Sequence, residues 1–376
     1  MILAIDMVGT SLGSGTRTYN LNFCEYLNKE NLNEKIYIFI SKNYKEDTFK
    51  HNNENIEYIV KPTFLSNIFF RIIWMQFFLP FELKKLKVDK LYSPMNFGPL
   101  FLKLFKINFV LALHSNLPWV FFSKMPGNII RNMFTKFIME KSISVCDSLI
   151  VDSQFAKKEI INLMKIKEDK VSVIYLGIDK KYLSLNKNSY YLNNFDYKNY
   201  IISVLSCVKY HNIINLLKAF KLFKSSNKNN LKLVFVLQIL DKKYFLEIKK
   251  FVENNFFQNE IIFLYNLDNK YLVNLYKNAN LFIFSSYCEV FGLTSLEAMS
   301  QNCPVAISNR SALPEINSDA AHYFDPDNIT EINESFKTLT MNKEYTKSLI
   351  LKANRHFKKF AWSKTVKETS NVLEIK

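Results

Sequence analysis

The sequence predicts an α/β protein made of two doubly wound domains. Three observations carry that prediction. Short apolar runs of strand length alternate with longer stretches of helical periodicity in both halves of the chain. The alternation lapses over the polar, Asn-, Tyr- and Lys-rich stretch Lys180–Asn199 and then restarts. The 376 residues are enough for two domains of ordinary size, each with its own core.

In chain order, Ile2–Ile5 reads as a short buried strand, followed by a Ser/Gly loop over Ser11–Gly15. Thr18–Leu27 reads as a helix, with Tyr19, Phe23, Tyr26 and Leu27 on one face. Lys35–Ile40 is a second strand, and Phe69–Leu86 has a helical apolar pattern interrupted at Pro80. Lys90–Tyr92, Phe109–Leu113 and Ser148–Val151 have strand length, with amphipathic Gly127–Ser144 among them, and Lys170–Tyr175 closes the half. The second half gives strands Tyr200–Leu205, Leu231–Leu237, Ile261–Leu264, Leu281–Phe284 and Pro304–Ile307, then the segment Ala321–Phe324. Helices Ile213–Phe223, Lys242–Asn254, Asn269–Asn278 and Leu293–Ser300 lie between these strands. Ile329–Leu339 and a broken run Tyr345–Glu374 end the chain. The expected domains are therefore 1–180 and 181–355, with 356–376 as a terminal helix. Domains of this kind bind ligands at the carboxyl ends of their strands.

The net charge is +16, from 50 Lys+Arg against 34 Asp+Glu. That surplus admits nucleic acid, an anionic membrane surface or a phosphate-bearing substrate. Arginine occurs only at 17, 71, 131, 310 and 355, so 45 of the 50 basic residues are lysine. Base readers favour the arginine fork, so nucleic acid is not an expected partner. The five cysteines are scattered, without a CxxC pair, which points to a reducing, cytoplasmic setting with no disulfide frame and no zinc knuckle. Asp6 interrupts the first apolar run, which argues against a signal peptide. The longest apolar stretches, 68–81 and 109–122, are broken by Arg71 and by His114 to Asn116, and fall short of the ~20 residues of a spanning helix.

The sharpest motif is Glu289-Val-Phe-Gly-Leu-Thr-Ser-Leu-Glu297, which follows a buried strand and opens a helix. Such a junction presents backbone N–H groups and the positive end of a helix dipole. Phe291, Gly292 and Leu293 offer those groups to a diphosphate, and Gly292 permits close approach. Glu297, in the first helical turns, is suited to accept hydrogen bonds from sugar hydroxyls. One glutamate at a helix start is more often merely solvated; two of them flanking Phe-Gly shift the balance.

This segment resembles the ExFGxxxxE signature of family-4 retaining glycosyltransferases, which have the GT-B fold. Ser203–Phe220 and Pro304–Pro326 resemble further stretches of that family. So does Asp147–Asp179, with Ser153, Phe155 and Lys157 in place. Trp74-Met-Gln76, Leu79-Pro80, Ser93-Pro94 and Asn96-Phe-Gly-Pro resemble members of the bacterial polysaccharide type. The resemblance implies a nucleotide diphosphate sugar as donor, UDP- or GDP-linked, and a glycan or polyprenyl-diphosphate-linked acceptor. It implies no metal and no other cofactor. Glu289 would contact the donor sugar near its reacting carbon, and Glu297 the ribose hydroxyls. Gly13, Gly15 and Thr16 would form the loop that approaches the diphosphate. His114, after the strand Phe109–Leu113, matches the family's strand-end histidine. Leu267 lies where relatives line the nucleobase pocket, and the final helices around Phe360-Ala-Trp362 would return to the first domain.

The family's basic pair for the leaving diphosphate is altered. His211 stands immediately before Asn212 where Lys is expected, and Lys209 is the other local cation. Leaving-group charge must be stabilised in glycosyl transfer, and an ordinary His is mostly neutral at pH 7. Three outcomes stay open: His211 held protonated by the diphosphate, Lys209 in its place, or a chain that binds sugar nucleotides with impaired turnover. Tyr265-Asn266 also replaces the family's glycine there. Asp325-Pro-Asp327 has the form of a metal-binding pair but lies in a stretch that is structural in the family. Lys84, Lys85 and Lys87 beside Trp74, Phe77 and Phe78 are either a solvated face over a core helix or a contact to the inner face of a membrane. A basic membrane or nucleic-acid adaptor is the remaining alternative.

Overall fold

The computed structural model describes residues 1–9, 15–42, 44, 53–183, 190–226, 229–255 and 257–375. Its first sheet comprises β1 (Ile2–Met7), β2 (Lys35–Ser41), β3 (Ile56–Lys61), β4 (Lys90–Ser93), β5 (Asn108–Leu113), β6 (Ser148–Val151) and β7 (Val171–Val173). The order is β3-β2-β1-β4-β5-β6-β7. The second sheet comprises β8 (Tyr200–Cys207), β9 (Lys232–Ile239), β10 (Ile261–Tyr265), β11 (Leu281–Phe284), β12 (Val305–Ser308) and β13 (His322–Phe324). Its order is β10-β9-β8-β11-β12-β13. All pairings are parallel. Parallel strands covered by helices on both faces must be apolar on both faces, and Leu3, Ala4 and Ile5, or Ile201 and Ile202, are fully buried accordingly. The strand order reverses between β1 and β4 and between β8 and β11, where loops leaving the carboxyl ends diverge and open a crevice.

One compact unit holds residues 1–119, 129–177 and 361–376; the other holds 120–128 and 178–360. The chain thus passes into the second unit at Ile178, not at 181, and rejoins the first at Ala361, not at 356. Residues 120–128, expected in the first domain, group with the second, where Phe121 stacks on Tyr287 at 5.8 Å. The terminal helix Trp362–Leu373 belongs to the first unit, as the resemblance implies. Thr365 Oγ1 donates to the Tyr175 carbonyl at 2.7 Å, and Trp362 meets Tyr19 edge-on at 5.5 Å. Lys90 Nζ reaches the Leu373 carbonyl at 3.0 Å.

Four local expectations change. The first helix is Gly15–Leu27 and so begins three residues before Thr18. β3 was not anticipated, because Ile56–Lys61 is an edge strand with only Ile56 fully buried, and it lacks a strong apolar run. Pro80 does not interrupt the helical run. It sits in the first turn of Leu79–Lys85, directly after a π turn, Trp74–Phe78, that follows Ile68–Ile73. A wider turn before proline gives its ring room against the preceding carbonyl. The expected linker is partly fastened: Asn274 Nδ2 donates to the Tyr190 carbonyl at 2.8 Å, and Phe195 packs on Tyr200.

Candidate active site

In the second unit, the crevice between β8 and β11 is lined by two loops. Lys209–His211 forms a 3-10 turn after β8, and Asn212 ends it at φ +56°, a conformation that Asn tolerates better than most residues. Asn212 Nδ2 donates to the Pro326 carbonyl at 2.7 Å. The loop after β11 is tied to that turn, because Ser285 Oγ donates to the His211 carbonyl at 2.9 Å and the Tyr287 amide to the Tyr210 carbonyl at 2.8 Å. These bonds bring His211 and Glu289 together: His211 Nε2 is 3.2 Å from Glu289 Oε1. His211 Nδ1 faces the Ser206 carbonyl at 2.6 Å. A carbonyl can only accept, so Nδ1 carries a proton. The Glu289 amide is anchored by Ser311 Oγ at 2.9 Å, while its Oε1 is buried and, apart from the His211 ring beside it, has no hydrogen-bond partner among the described residues.

The helix Leu293–Ser300 follows Gly292, whose φ is +94°. A side chain there would be strained, and its Cβ would lie 2.6 Å from Leu313 Cδ2. Phe291 is buried against Phe360, so any ligand contact at Phe291 falls to the backbone, while Leu293 is half-buried. Glu297 is one turn further on. Tyr276 OH donates to its Oε2 at 3.2 Å, and Tyr182 and Lys181 lie close by. Burial pushes the Glu297 carboxyl up to about 7, against the pull of Lys181 and the two tyrosine hydroxyls.

In the first unit, β5 and β6 pair with Leu113 opposite Val151, so the next residues, His114 and Asp152, leave adjacent strands side by side. His114 Nδ1 lies 2.9 Å and 3.0 Å from the two Asp152 oxygens, and its amide donates to Asn96 Oδ1 at 2.6 Å. Asp152 thereby holds the ring by Nδ1 and leaves Nε2 buried without a partner among the described residues. The Tyr19 ring, 4.4 Å away, packs against the imidazole. Gly15 opens the first helix with no described residue within 4 Å of where a Cβ would stand, and Thr16 follows half-buried. Gly13 lies outside the described residues.

Two further candidates remain. Lys209 Nζ pairs with Glu247 at 3.6 Å, while the His211 ring is the one beside Glu289. Leu267 is half-buried in the loop after β10. Asp325 and Asp327 are engaged by Arg310, at 3.0 Å and 3.7 Å, and Tyr287 OH donates to Asp327 at 2.6 Å. No group of three or more His, Cys, Asp or Glu able to hold a metal ion occurs among the described residues. Asp152, Tyr182, Lys181 and Tyr276 were not singled out from the sequence. Asp152 had a usable signal, since it follows β6 as His114 follows β5.

Residues 13–182 match the family model "Glycosyltransferase Family 4", and residues 188–356 match "Glycosyl transferases group 1". The O-antigen chain mannosyltransferase RfbU of Salmonella typhimurium is 23% identical over 67% of this chain and 65% of its own length. The O-antigen chain mannosyltransferase B of Escherichia coli is 24% identical over 63% of each chain. The chain thus spans less than two thirds of the length of these relatives. The structure of Anabaena HepE in complex with UDP superposes with a TM-score of 0.72 at 14% identity, covering 99% of both chains. Two parallel α/β units, the two glutamates around Phe-Gly and two family matches that together take in most of the sequence place this chain among the family-4 glycosyltransferases of the GT-B fold.

Proposed function

We propose that the chain transfers a sugar from a nucleotide diphosphate sugar to a glycan acceptor in cell-surface polysaccharide synthesis, with retention at the anomeric carbon. The observation that carries this reading is the His211–Glu289 pair beside Gly292 at the switch point of the second sheet. The names of the O-antigen relatives support the polysaccharide setting and make mannose the first donor sugar to test. The UDP complex of HepE supports a nucleoside diphosphate as the leaving group, with UDP and GDP both retained here.

In the proposed reaction the bond from the anomeric carbon to the diphosphate oxygen breaks, and its electrons stay on that oxygen. The sugar passes through an oxocarbenium-like state, beside which the Glu289 carboxylate stabilises positive charge. His211 and the amides at Gly292 and Leu293 face the negative diphosphate and stabilise it. The acceptor hydroxyl bonds to the same face of the carbon, and its proton goes to the departing diphosphate oxygen. Glu297 accepts hydrogen bonds from the ribose. His114, held by Asp152, presents Nε2 to a sugar hydroxyl. Neither metal nor organic cofactor enters this scheme. The acceptor is proposed to be linked to a polyprenyl diphosphate at the cytoplasmic face of the membrane.

Glu289→Gln tests the assignment. Turnover should fall at least a hundredfold while nucleotide affinity, read by calorimetry, changes less than threefold. Full turnover in the variant would remove Glu289 from the mechanism. Nucleotide binding without transfer in the unaltered protein would instead favour a sugar-nucleotide-binding role, the reading suggested by His211 in place of Lys.

A further inference from the structure

The helical run from Ile68 to Lys85 has an outer face unlike that of a solvated helix. Its inner side is buried through Trp74, Met75, Leu79 and Leu83, so Trp74, unlike Phe77 and Phe78, belongs to the core and donates to Glu82 Oε1 at 3.0 Å. On the outer side Phe69, Phe77, Phe78 and Phe81 are 62%, 64%, 58% and 64% exposed, and Phe70 is 48% exposed. Phe81 meets Phe105 edge-on at 5.1 Å, which joins this face to the turn Leu102–Phe105, where Leu104 is 81% exposed. Isolated exposed apolar side chains are ordinary; a joined aromatic face is not, and it marks an interaction surface.

The charges beside it select the occupant. Lys84, Lys85, Lys87, Lys103 and Lys106 are all exposed. The carboxylates between residues 62 and 106 are Glu82 and Asp89. Glu82 is bound by Lys61 and Trp74, and an Asp89 oxygen accepts from the Ile2 amide at 2.7 Å. A second copy of this chain would set lysine against lysine. An anionic lipid surface meets both features, taking the rings at the headgroup–acyl boundary and the ammonium groups at the phosphates.

We propose that this face, the aromatic side of Ile68–Lys85 with Leu102–Phe105 and its lysine collar, docks the protein on an anionic membrane by shallow insertion. No helix among the described residues is long and apolar enough to cross a bilayer, so this face lies on the membrane without spanning it. The proposal deepens the reading of a lipid-linked acceptor, because a docked enzyme meets such an acceptor at the surface that carries it.

The test is flotation of the full chain, without nucleotide or acceptor, on vesicles of phosphatidylcholine with 30% phosphatidylglycerol and on pure phosphatidylcholine. The unaltered protein should float with the anionic vesicles at least tenfold more than with the neutral ones. Combined Phe77→Ser, Phe78→Ser and Phe81→Ser, and separately Lys84→Glu, Lys85→Glu and Lys87→Glu, should each cut binding at least tenfold. Unfolding midpoints should remain unchanged, since the altered side chains are exposed. High salt should weaken the parent less than it would a purely electrostatic binder. Failure to bind anionic vesicles, or variants that bind like the parent, would overturn the proposal. So would a dimer of the parent that the phenylalanine changes dissociate. Sugar transfer to a detergent-solubilised acceptor is read separately: transfer without flotation sinks the docking surface alone, and flotation without transfer sinks the proposed function alone.

Discussion

Glu297 is the residue whose environment most directly sets a pH dependence. Burial raises its carboxyl from 4.5 to about 7, so the folded chain holds a proton there that the unfolded chain has released. The stability from that proton is fully present below pH 4.5 and is lost as the pH rises through 7. Nucleotide binding runs the opposite way, because ribose hydroxyls donate to a carboxylate. Affinity for a nucleoside diphosphate should therefore fall about tenfold from pH 8 to pH 6, as expected for a group titrating at neutrality. In Glu297→Gln the same titration by calorimetry should be weak and nearly flat. A flat profile in the unaltered protein would separate Glu297 from the ribose. The motif Glu289, Gly292 and Glu297 was legible in the sequence because its residues are close along the chain. Tyr182 and Tyr276, which surround Glu297, were not, because their approach depends on packing across the unit and not on spacing. His211 was legible as an anomaly, but its pairing with Glu289 in preference to Lys209 became visible only with the turn that the Ser285 bond holds.

The elements that position these residues were mostly legible. The helices Lys242–Asn254 and Leu293–Ser300 match the expected bounds, since each has a clear period and a clean start. β3 escaped because an edge strand need not be apolar on both faces. The return of the terminal helix rests on a close backbone approach. A Cβ on Gly177 would stand 2.2 Å from the Trp362 nitrogen and 2.6 Å from the Ala361 carbonyl carbon. Backbone atoms cannot yield as a side-chain tip can, so Gly177→Ala should destabilise the protein by about 1–3 kcal/mol or more. Urea unfolding monitored by tryptophan fluorescence would show it as a lower midpoint. An unchanged midpoint would mean that the terminal helix is held more loosely than this packing implies.

At the scale of the whole molecule, two sheets with the same kind of switch point put Glu289 and Glu297 at the carboxyl edge of one, and His114 with Asp152 at the carboxyl edge of the other. The compact units change over near residues 178 and 361, and residues 120–128 group with the second. There Phe121 packs on Tyr287 and Tyr210, contacts for which no local pattern codes. The +16 charge, ambiguous in composition, gains a location in the lysines beside the exposed phenylalanines. The central claim is sugar transfer with retention. It is tested most directly by incubating the protein with UDP- and GDP-linked sugars, GDP-mannose among them, and a lipid-linked glycan acceptor, then reading the anomeric coupling of the product by NMR. The account predicts one equivalent of nucleoside diphosphate released per new linkage, with the anomeric configuration of the donor. A product of inverted configuration, or no donor consumed across the set, would contradict it.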